Sequence, residues 1–394
     1  MKKKFACLAM AMVMVLSLAA CGGKKEEAPV AAPAESGSDS SVSVFKVGTI
    51  GPLSGDAAIY GQAVANGAKI AVDEINAAGG ANQFELQSQD DEADGEKSVN
   101  AYNTLMDWGM QVMVGPTTTG ASIAVSAQAN ADRTFMLTPS ASSVDVIDGK
   151  DNVFQVCFTD PNQGVASADY ISANMAGAKV AVIYRNDDAY SQGIRDTFVS
   201  EAADKGLEVV YEGTFTADTA TDFSVQLTGA QSAGADTVFL PIYYQPASVI
   251  LNQANAMGYE PTFFGVDGMD GILTMEGFDT SLAEGVMLLT PFSADAEDAR
   301  TQTFVKAYQD QFGETPNQFA ADAYDAVYIY AAALEAAGCT ADMSSADICE
   351  ALVGVMTTIS VDGLTGQGMT WDASGAVSKA PMAVIIENGT YVLP

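Results

Sequence analysis

Residues 47–80 of the chain have the sequence VGTIGPLSGDAAIYGQAVANGAKIAVDEINAAGG. It opens with the end of a short apolar run, passes through a turn that contains glycine and proline, and continues into a helical pattern that ends in two glycines. A buried strand followed directly by a helix is the repeating unit of a parallel sheet. Residues 47–80 therefore predict the first strand and the first helix of an α/β domain.

The same alternation continues along the chain. Short apolar runs, rich in β-branched and aromatic residues, predict strands buried on both faces of a parallel sheet; they lie at 44–50, 111–115, 134–138, 179–184, 236–242 and 262–266. Helical patterns, several of them ended by a C-capping glycine, lie at 61–80, 96–109, 120–131, 162–177, 190–206 and 245–258. This alternation predicts doubly wound α/β domains.

The last hundred residues depart from this alternation of strands and helices. Two helical patterns, at about 298–312 and 318–338, follow each other with no strand between them. The apolar segments 382–386 and 390–393 flank Asn388-Gly389, a strong hairpin signal. A terminal β-hairpin is therefore predicted.

The sequence offers little for catalysis. The glycine-containing run 51–61 has neither G-K-[ST] nor G-x-G-x-x-G, so it does not predict a phosphate-binding loop. The acidic run 90–95 begins like a calcium loop, but Ala101 stands where a bidentate glutamate is required, so we expect this run to cap a helix instead. The chain has no histidine, which removes the commonest general base and the usual zinc ligands. No enzyme activity, cofactor or metal is predicted.

The N-terminal sequence predicts the cellular compartment in which the protein works. A basic segment, Lys2 to Lys4, precedes an apolar run over 5–18 that is shorter than the roughly 20 residues of a spanning helix, so residues 1–20 are interpreted as a signal peptide. Leu18-Ala19-Ala20-Cys21-Gly22 resembles a bacterial lipobox, in which Cys21 is lipidated; an ordinary signal with an incidental cysteine is the alternative. Residues 21–43 are rich in Pro, Ala, Ser and Gly and predict a flexible tether. We expect a protein anchored by lipid at the extracytoplasmic face of the membrane.

Charge and cysteine content narrow the partners. With 17 basic and 50 acidic residues the net charge is −33, which disfavours nucleic acid and anionic headgroups as partners but suits a neutral or zwitterionic ligand.

Cys157 stands in an apolar run and is interpreted as a buried small hydrophobe. Cys339 and Cys349 flank a polar stretch, where a local disulfide and two free thiols are both open.

The order of several motifs is specific. After residues 47–80 come SQDDEADGEKSV (88–99), VMVGPTTTGAS (112–122), FMLTPSAS (135–142), NDDAYSQG (186–193), FLPIYYQP (239–246), FFGVDG (263–268) and GLTGQGMTWDASG (363–375). Together they resemble the leucine/isoleucine/valine-binding family of type I periplasmic binding proteins, from Val44 to Pro394. The resemblance implies two doubly wound lobes joined by three crossovers, with the ligand enclosed between them. Lobe 1 is expected at 44–159 and 294–365, and lobe 2 at 160–293 and 366–394.

The resemblance also implies a ligand site. A free amino acid presents a carboxylate and an ammonium, and both need partners when buried. Thr119, the backbone around Ser140 and the Ser142 hydroxyl are implied to hold the carboxylate. From the residues alone, each of these could equally cap a helix.

Three further implied site residues, Tyr190, Tyr244 and Asp267, belong to lobe 2, and a fourth, Tyr60, belongs to lobe 1. Asp267 is implied to pair with the ammonium, at a position where the family typically has glutamate, one methylene longer. Tyr190 and Tyr244 are implied to hydrogen-bond the ligand and to offer ring faces to its ammonium. Tyr60 is implied to line the side-chain end of the site. The alternative for the tyrosines is a packing role.

The function implied is capture and delivery. We expect a monomeric solute-binding protein that hands a branched-chain or similar small amino acid to an ABC permease. Two alternatives stay open. The ligand could be another small polar solute, such as an amide, urea, a short peptide or an aromatic acid. The chain could also be the ligand-sensing part of a receptor, which is expected to carry a spanning or effector segment after the binding domain.

Overall fold

The computed structural model describes residues 43–394. The predicted signal peptide, the lipidation site at Cys21 and the tether up to residue 42 lie outside the described residues. The strands are β1 (Ser43–Gly51), β2 (Asn82–Asp90), β3 (Val112–Val114), β4 (Phe135–Thr138), β5 (Val153–Gln155), β6 (Lys179–Arg185), β7 (Glu208–Phe215), β8 (Thr237–Leu240), β9 (Thr262–Gly265), β10 (Met287–Thr290), β11 (Met382–Glu387) and β12 (Thr390–Val392). The α-helices are α1 (Ala58–Ala78), α2 (Gly95–Trp108), α3 (Thr119–Asp132), α4 (Asp160–Asn174), α5 (Ala189–Lys205), α6 (Ser224–Ser232), α7 (Tyr244–Met257), α8 (Ala299–Phe312), α9 (Gln318–Ala337) and α10 (Ser345–Met356).

These strands form two sheets. The first has the order β2-β1-β3-β4-β5 and is parallel throughout. The second has the order β12-β11-β10-β9-β8-β6-β7 and is parallel except for β11 and β12. Every residue of β3, β4 and β8 is buried, as expected for strands covered by helices on both faces. The predicted fold class, two doubly wound parallel sheets, is confirmed.

The chain passes between the sheets three times. It leaves the first sheet after β5, returns after β10 to place α8, α9 and α10, and re-enters the second sheet at β11. Helix α9 packs along α1, and α10 packs on β3 and β4, so these late helices cover the first sheet. This placement explains why α8 and α9 follow each other in the sequence with no strand between them. The exact lobe bounds, 44–159 with 294–365 and 160–293 with 366–394, stay a prediction.

Local signals account for the helix ends and the hairpin. Asp94 is the N-cap of α2, and its side chain accepts a hydrogen bond from Lys97 N at 2.9 Å, so the acidic run caps a helix as predicted. Asn388 and Gly389 both have positive φ, 54° and 71°, and link the antiparallel pair β11 and β12. Two positive φ values in a two-residue turn match the right-handed twist of the strands.

The sequence did not predict β2 and β7. Each is an edge strand, β2 of the first sheet and β7 of the second, and most of their residues are partly or fully exposed. Polar residues therefore interrupt their apolar runs, and a search for continuous apolar segments passes over them. β5 and β10 were also not predicted; they have only three and four residues.

Buried polar contacts attach the segment between α10 and β11, which is the third passage between the sheets, to α9. Lys379 Nζ donates to Asp322 Oδ1 and to Thr365 Oγ1, both at 2.6 Å, and the Lys379 and Asp322 side chains are each 2% exposed. Asp325 Oδ1 accepts from Leu364 N at 2.8 Å. Because both partners of the ion pair are desolvated, each depends on the other for its charge compensation.

The three cysteines within the described residues are free thiols. Cys157 is buried, as predicted for a small hydrophobe, and burial raises the pKa of its thiol well above the ordinary value. Cys339 and Cys349 are also buried and free, so the disulfide left open by the sequence is not formed. Cys349 lies on α10, and Cys339 follows the C-cap of α9. Burial raises the pKa of the Cys349 thiol, and the charge of the nearby Arg133 offsets only part of this increase. Within residues 43–394, none of the helices combines the length and the apolar composition that a membrane span requires.

Candidate ligand-binding site

The predicted site residues all follow the carboxyl ends of strands. Tyr60 follows β1, Thr119 follows β3, Ser140 and Ser142 follow β4, Tyr190 follows β6, Tyr244 follows β8 and Asp267 follows β9. In doubly wound sheets the loops at this edge converge, which is why ligands bind there. All seven side chains are buried.

Asp267 and Tyr190 form the acidic end of the site. The Tyr190 hydroxyl donates to Asp267 Oδ1 at 2.6 Å and accepts from Gly268 N at 2.9 Å. Asp267 N donates to Gln163 Oε1 at 3.1 Å. Burial raises the pKa of the Asp267 carboxyl to about 6, although the Tyr190 hydroxyl and the nearby Gln163 side chain act in the opposite direction. Among the described residues, the carboxylate therefore has a neutral hydrogen-bond donor, Tyr190, but no cationic partner.

A second buried acid, Asp160, lies beside this end of the site. It is the first residue of α4, and neither of its carboxylate oxygens has a hydrogen-bond partner. Burial raises the pKa of this carboxyl well above its ordinary value, and the nearby Ser142 hydroxyl lowers it without completing a hydrogen bond of good geometry. A buried group without partners usually marks a place where a ligand or water belongs. Sequence reasoning missed Asp160, because an acid at the start of a helical pattern is ordinarily a capping residue.

The start of α3 and the loop after β4 supply donors. Thr119 is the first residue of α3, and the N-cap residue Thr118 makes no side-chain capping bond; its buried Oγ1 has no partner. The first N–H groups of a helix have no partner within the helix, and they attract anions. The Ser140 hydroxyl donates to Thr117 O at 2.7 Å, which leaves its backbone rather than its side chain for a ligand. Ser142 Oγ accepts from Gln163 Nε2 at 3.5 Å.

Aromatic rings close the remaining side. The Tyr60 ring stands perpendicular to Tyr244, with centroids 5.0 Å apart, and lies 4.2 Å from Phe319. The Tyr60 hydroxyl donates to Gly268 O and accepts from Tyr244 N, the latter at 3.2 Å. Burial raises the pKa of Tyr60 well above its ordinary value, so this hydroxyl stays neutral. One side chain of α1 thus joins two segments that follow strands of the second sheet.

Two of the predicted tyrosines lie at helix starts. Tyr190 and Tyr244 are in the first turns of α5 and α7. The short linkers after β6 and β8 bring the helix starts directly over the sheet edge, so the rings still point toward the site. The ring of Tyr243, the N-cap of α7, is tilted by 41° against the ring of Tyr190, with centroids 5.0 Å apart, and its centroid lies 5.3 Å from that of Tyr60.

Hydrogen bonds connect five of the seven predicted residues, directly or through Gln163, and the other two lie after neighbouring strands. Tyr190 contacts Asp267, and Tyr60 contacts Tyr244. Ser142 and Asp267 are linked through Gln163, whereas Thr119 and Ser140 hold neighbouring positions at the edge of the first sheet. Sequence reasoning missed five further residues; they are Thr118, Asp160, Gln163, Tyr243 and Phe319. The first tyrosine of YYQP, Tyr243, could have been indicated by its place beside the predicted Tyr244.

Together these groups can bind a small zwitterion. An acid at one end suits a cation, unpaired N–H groups and hydroxyls at the other end suit a carboxylate, and the aromatic wall suits an apolar side chain.

Comparison with known proteins gives a consistent result. The sequence profile of the periplasmic binding protein family matches residues 44–390. The Leu/Ile/Val-binding protein homolog 3 of Brucella melitensis is 32% identical over 317 residues, which cover 78% of this chain and 82% of that protein.

Two solved structures illustrate the similarity in fold. The branched-chain amino acid transporter substrate-binding protein LivJ of Streptococcus pneumoniae, determined with isoleucine, has a TM-score of 0.79 and 31% identity, covering 88% of this chain and 97% of that one. A solute-binding protein of an ABC transporter from R. palustris, determined with benzoate, also has a TM-score of 0.79, at 22% identity and with coverage of 89% and 95%. The benzoate-bound protein shows a shared fold alone.

Proposed function

The chain belongs to the leucine/isoleucine/valine-binding family of type I periplasmic binding proteins, and we propose that it captures an α-amino acid with a small apolar side chain for an ATP-driven importer. Members of this family are substrate-binding proteins of ABC transporters, not enzymes, and work outside the cytoplasm. The observation that carries the choice of ligand is Asp267, a buried carboxylate that accepts a hydrogen bond from Tyr190 but has no cationic partner within residues 43–394.

The ammonium of the ligand would pair with Asp267. An ion pair in this dry site compensates the cost of the buried charge, which the present donors do only in part. Tyr190 orients the carboxylate through its hydroxyl, and Asp160 places a second buried carboxyl close by. Although the family typically has glutamate at this position, the shorter aspartate is already held at hydrogen-bond distance from Tyr190, so its place in the site is defined.

The carboxylate of the ligand would bind the start of α3. Thr119, the unpartnered Thr118 Oγ1 and the free N–H groups of the first turn form one donor set. The backbone around Ser140 and the hydroxyl of Ser142 form another. Both sets follow neighbouring strands, β3 and β4, so one carboxylate can contact both.

The side chain of the ligand would face the aromatic wall of Tyr60, Tyr244 and Phe319. These rings provide apolar surface without a charge, which favours leucine, isoleucine or valine over a charged amino acid. The two lobes, with the bounds predicted above, would close on the ligand, and contacts from both sides would favour the closed arrangement.

Lipidation of Cys21 would hold the protein at the membrane surface. The mature protein would begin at Cys21, and residues 21–43 would serve as the tether between the lipid and the binding domain. The ligand-loaded, monomeric protein would then dock on the membrane permease.

A ligand screen tests this proposal. Thermal unfolding of the protein from residue 43 onward is measured with each common amino acid, with leucinamide and with benzoate. A ligand at 100-fold over its Kd adds about 2.7 kcal/mol of apparent stability. We expect the largest shift from a branched-chain amino acid and little from leucinamide, which lacks the carboxylate, or benzoate, which lacks the ammonium. A large shift from benzoate with none from any amino acid would instead favour an aromatic-acid ligand.

A further inference from the structure

Side chains from both halves of the molecule hold the segment that follows β9. Asp267 N donates to Gln163 Oε1 at 3.1 Å, and Gly268 N donates to the Tyr190 hydroxyl at 2.9 Å. Gln163 lies on α4 and Tyr190 on α5; these helices pack together, and α5 packs on strands of the second sheet. The two N–H groups are therefore bound by the half that carries β9 itself.

The two carbonyl groups of the same residues bind the other half. Asp267 O accepts from Gln318 Nε2 at 2.7 Å, and Gly268 O accepts from the Tyr60 hydroxyl. Gln318 begins α9 and Tyr60 lies on α1, and these helices pack together beside the first sheet. If the halves part, both carbonyls lose their donors, whereas both N–H groups keep their acceptors.

Gln318 makes a second contact across the same boundary. Its backbone N donates to Asp270 Oδ2 at 2.8 Å, and both residues are 2% exposed. Gln318 is the first residue of α9, where the N–H has no partner within the helix. The helix dipole also favours an acid at this end of the helix. One residue therefore joins the start of α9 to two points of the segment after β9.

The contact with Asp267 makes this junction relevant to the ligand. The side chain of Asp267 is the proposed partner of the ligand's ammonium, whereas its carbonyl oxygen binds Gln318. A buried carbonyl without a donor is costly, so the halves separate only at the expense of this hydrogen bond. The site opens when the halves separate, and the ligand can leave only then.

We propose that Gln318 is a positioning residue that latches the two halves together and thereby slows the departure of the ligand. The latch consists of the hydrogen bonds from Gln318 to Asp267 O and to Asp270 Oδ2. These hydrogen bonds join protein groups alone, so they form with or without a ligand. The effect on ligand departure rests on the proposed function, whereas the latch itself does not.

Gln318→Met tests the latch without a ligand. Methionine keeps the length of the side chain but cannot donate to Asp267 O. We expect X-ray scattering of the unliganded variant to give a larger radius of gyration than that of the wild type. Gln111→Met is the matched control, because Gln111 is also buried and its Nε2 donates to Ala341 O and Met343 O, both at 3.0 Å. These residues all belong to the half that contains the first sheet, so the radius should not change.

The dissociation rates of leucine, isoleucine and valine, measured by stopped-flow fluorescence, test the effect on the ligand. We expect dissociation from Gln318→Met to be about 5-fold to 150-fold faster than from the wild type, because the latch no longer opposes opening. Association should not become slower, since the ligand enters while the halves are apart. The acceleration should be the same for all three amino acids, whereas a residue that contacts the ligand's side chain would change the rates unequally. Gln111→Met should dissociate as the wild type does.

Hydrogen exchange of the unliganded wild type needs no variant and covers the case in which Gln318→Met folds poorly. The Gln318 N–H should exchange at least about 10-fold more slowly than that of Ala299, which is exposed and holds the same position in α8. Equal exchange rates, an unchanged radius in folded Gln318→Met, or the same increase in Gln111→Met would each overturn the latch. A wild-type dissociation rate in Gln318→Met would overturn its effect on the ligand. If none of the amino acids binds, the proposed function fails, but scattering and hydrogen exchange still decide whether the latch exists.

Discussion

The hydroxyl of Tyr190 donates a 2.6 Å hydrogen bond to Asp267 Oδ1 inside a site from which solvent is largely excluded. One hydrogen bond from a neutral phenol orients the carboxylate but does not neutralise it. The acid therefore carries an unfavourable charge in the unliganded protein, and an ammonium ligand removes that cost. The charge of Asp267 therefore strengthens ligand binding but lowers the stability of the unliganded protein.

The pH dependence of stability follows from this opposition. Burial raises the pKa of Asp267 to about 6, above the ordinary value of 3.8, so the folded protein holds this proton more tightly than the unfolded chain. The contribution of Asp267 to stability is fully present below the unfolded pKa and is lost as the pH rises through about 6. We expect Asp267→Asn to raise the unliganded free energy of unfolding by roughly 1–3 kcal/mol at pH 7.5. Urea unfolding at pH 7.5 and pH 4.5 checks this, because the gain should shrink at the lower pH. An equal gain at both pH values would contradict it.

Tyr60→Phe tests the contact across the site. The variant keeps the ring packing but removes the hydroxyl that contacts Gly268 O and Tyr244 N. Unpaired buried groups cost roughly 1–3 kcal/mol, and water can reach them only when the site opens. We expect weaker ligand binding, by about 5-fold to 150-fold, and a larger radius of gyration for the unliganded variant by X-ray scattering. Tyr259→Phe is the control, because Tyr259 donates to Ala235 O away from the site and should change stability alone. Unchanged affinity and radius in Tyr60→Phe would refute the contact.

The buried pair of Lys379 and Asp322 should be essential for stability. Lys379→Met leaves Asp322 charged and unpaired, which should cost about 3–5 kcal/mol in the free energy of unfolding. The double variant Lys379→Met with Asp322→Leu should recover most of this loss, because no buried charge remains. Lys69→Met is the control, since the Lys69–Asp73 pair is about half exposed and should contribute less than about 1 kcal/mol. Equal losses from Lys379→Met and Lys69→Met would show that burial of the pair does not matter.

Lipid attachment is expected at Cys21. Cells that express the full chain should incorporate a labelled fatty acid into the protein, and Cys21→Ala should abolish the label. Cys157→Ala is the control, because its buried thiol lies in the folded domain and should leave labelling intact. Label that persists in Cys21→Ala would rule out this site.

Much of the fold could be predicted from the sequence, because buried parallel strands are continuous apolar runs and most helices end in glycine. Gly79, Gly109 and Gly206 all have positive φ at helix C-caps, where other residues are strained. Strands β2 and β7 could not be found in this way, because their side chains are only partly covered.

The candidate site was predicted less completely. Asp267 and Tyr60 were identified because a family resemblance marks them, and their positions at strand ends are consistent with it. Asp160 and Phe319 lie in helical patterns, where an acid at a helix start and a ring on a buried face are ordinary. Only the folded chain shows that the acid has no partner and that the ring faces Tyr60.

The most direct test of the proposed function is calorimetric titration of Asp267→Asn with leucine, isoleucine and valine. Loss of one partner of a desolvated charge pair costs roughly 2–5 kcal/mol, because the other charge stays buried and unpaired. We therefore expect at least about 30-fold weaker binding than in the wild type. Glu276→Gln, which removes an exposed acid nine residues along the chain, should bind as the wild type does. Wild-type affinity in a folded Asp267→Asn protein would contradict the account, since the ligand's ammonium would then not be held by this carboxylate.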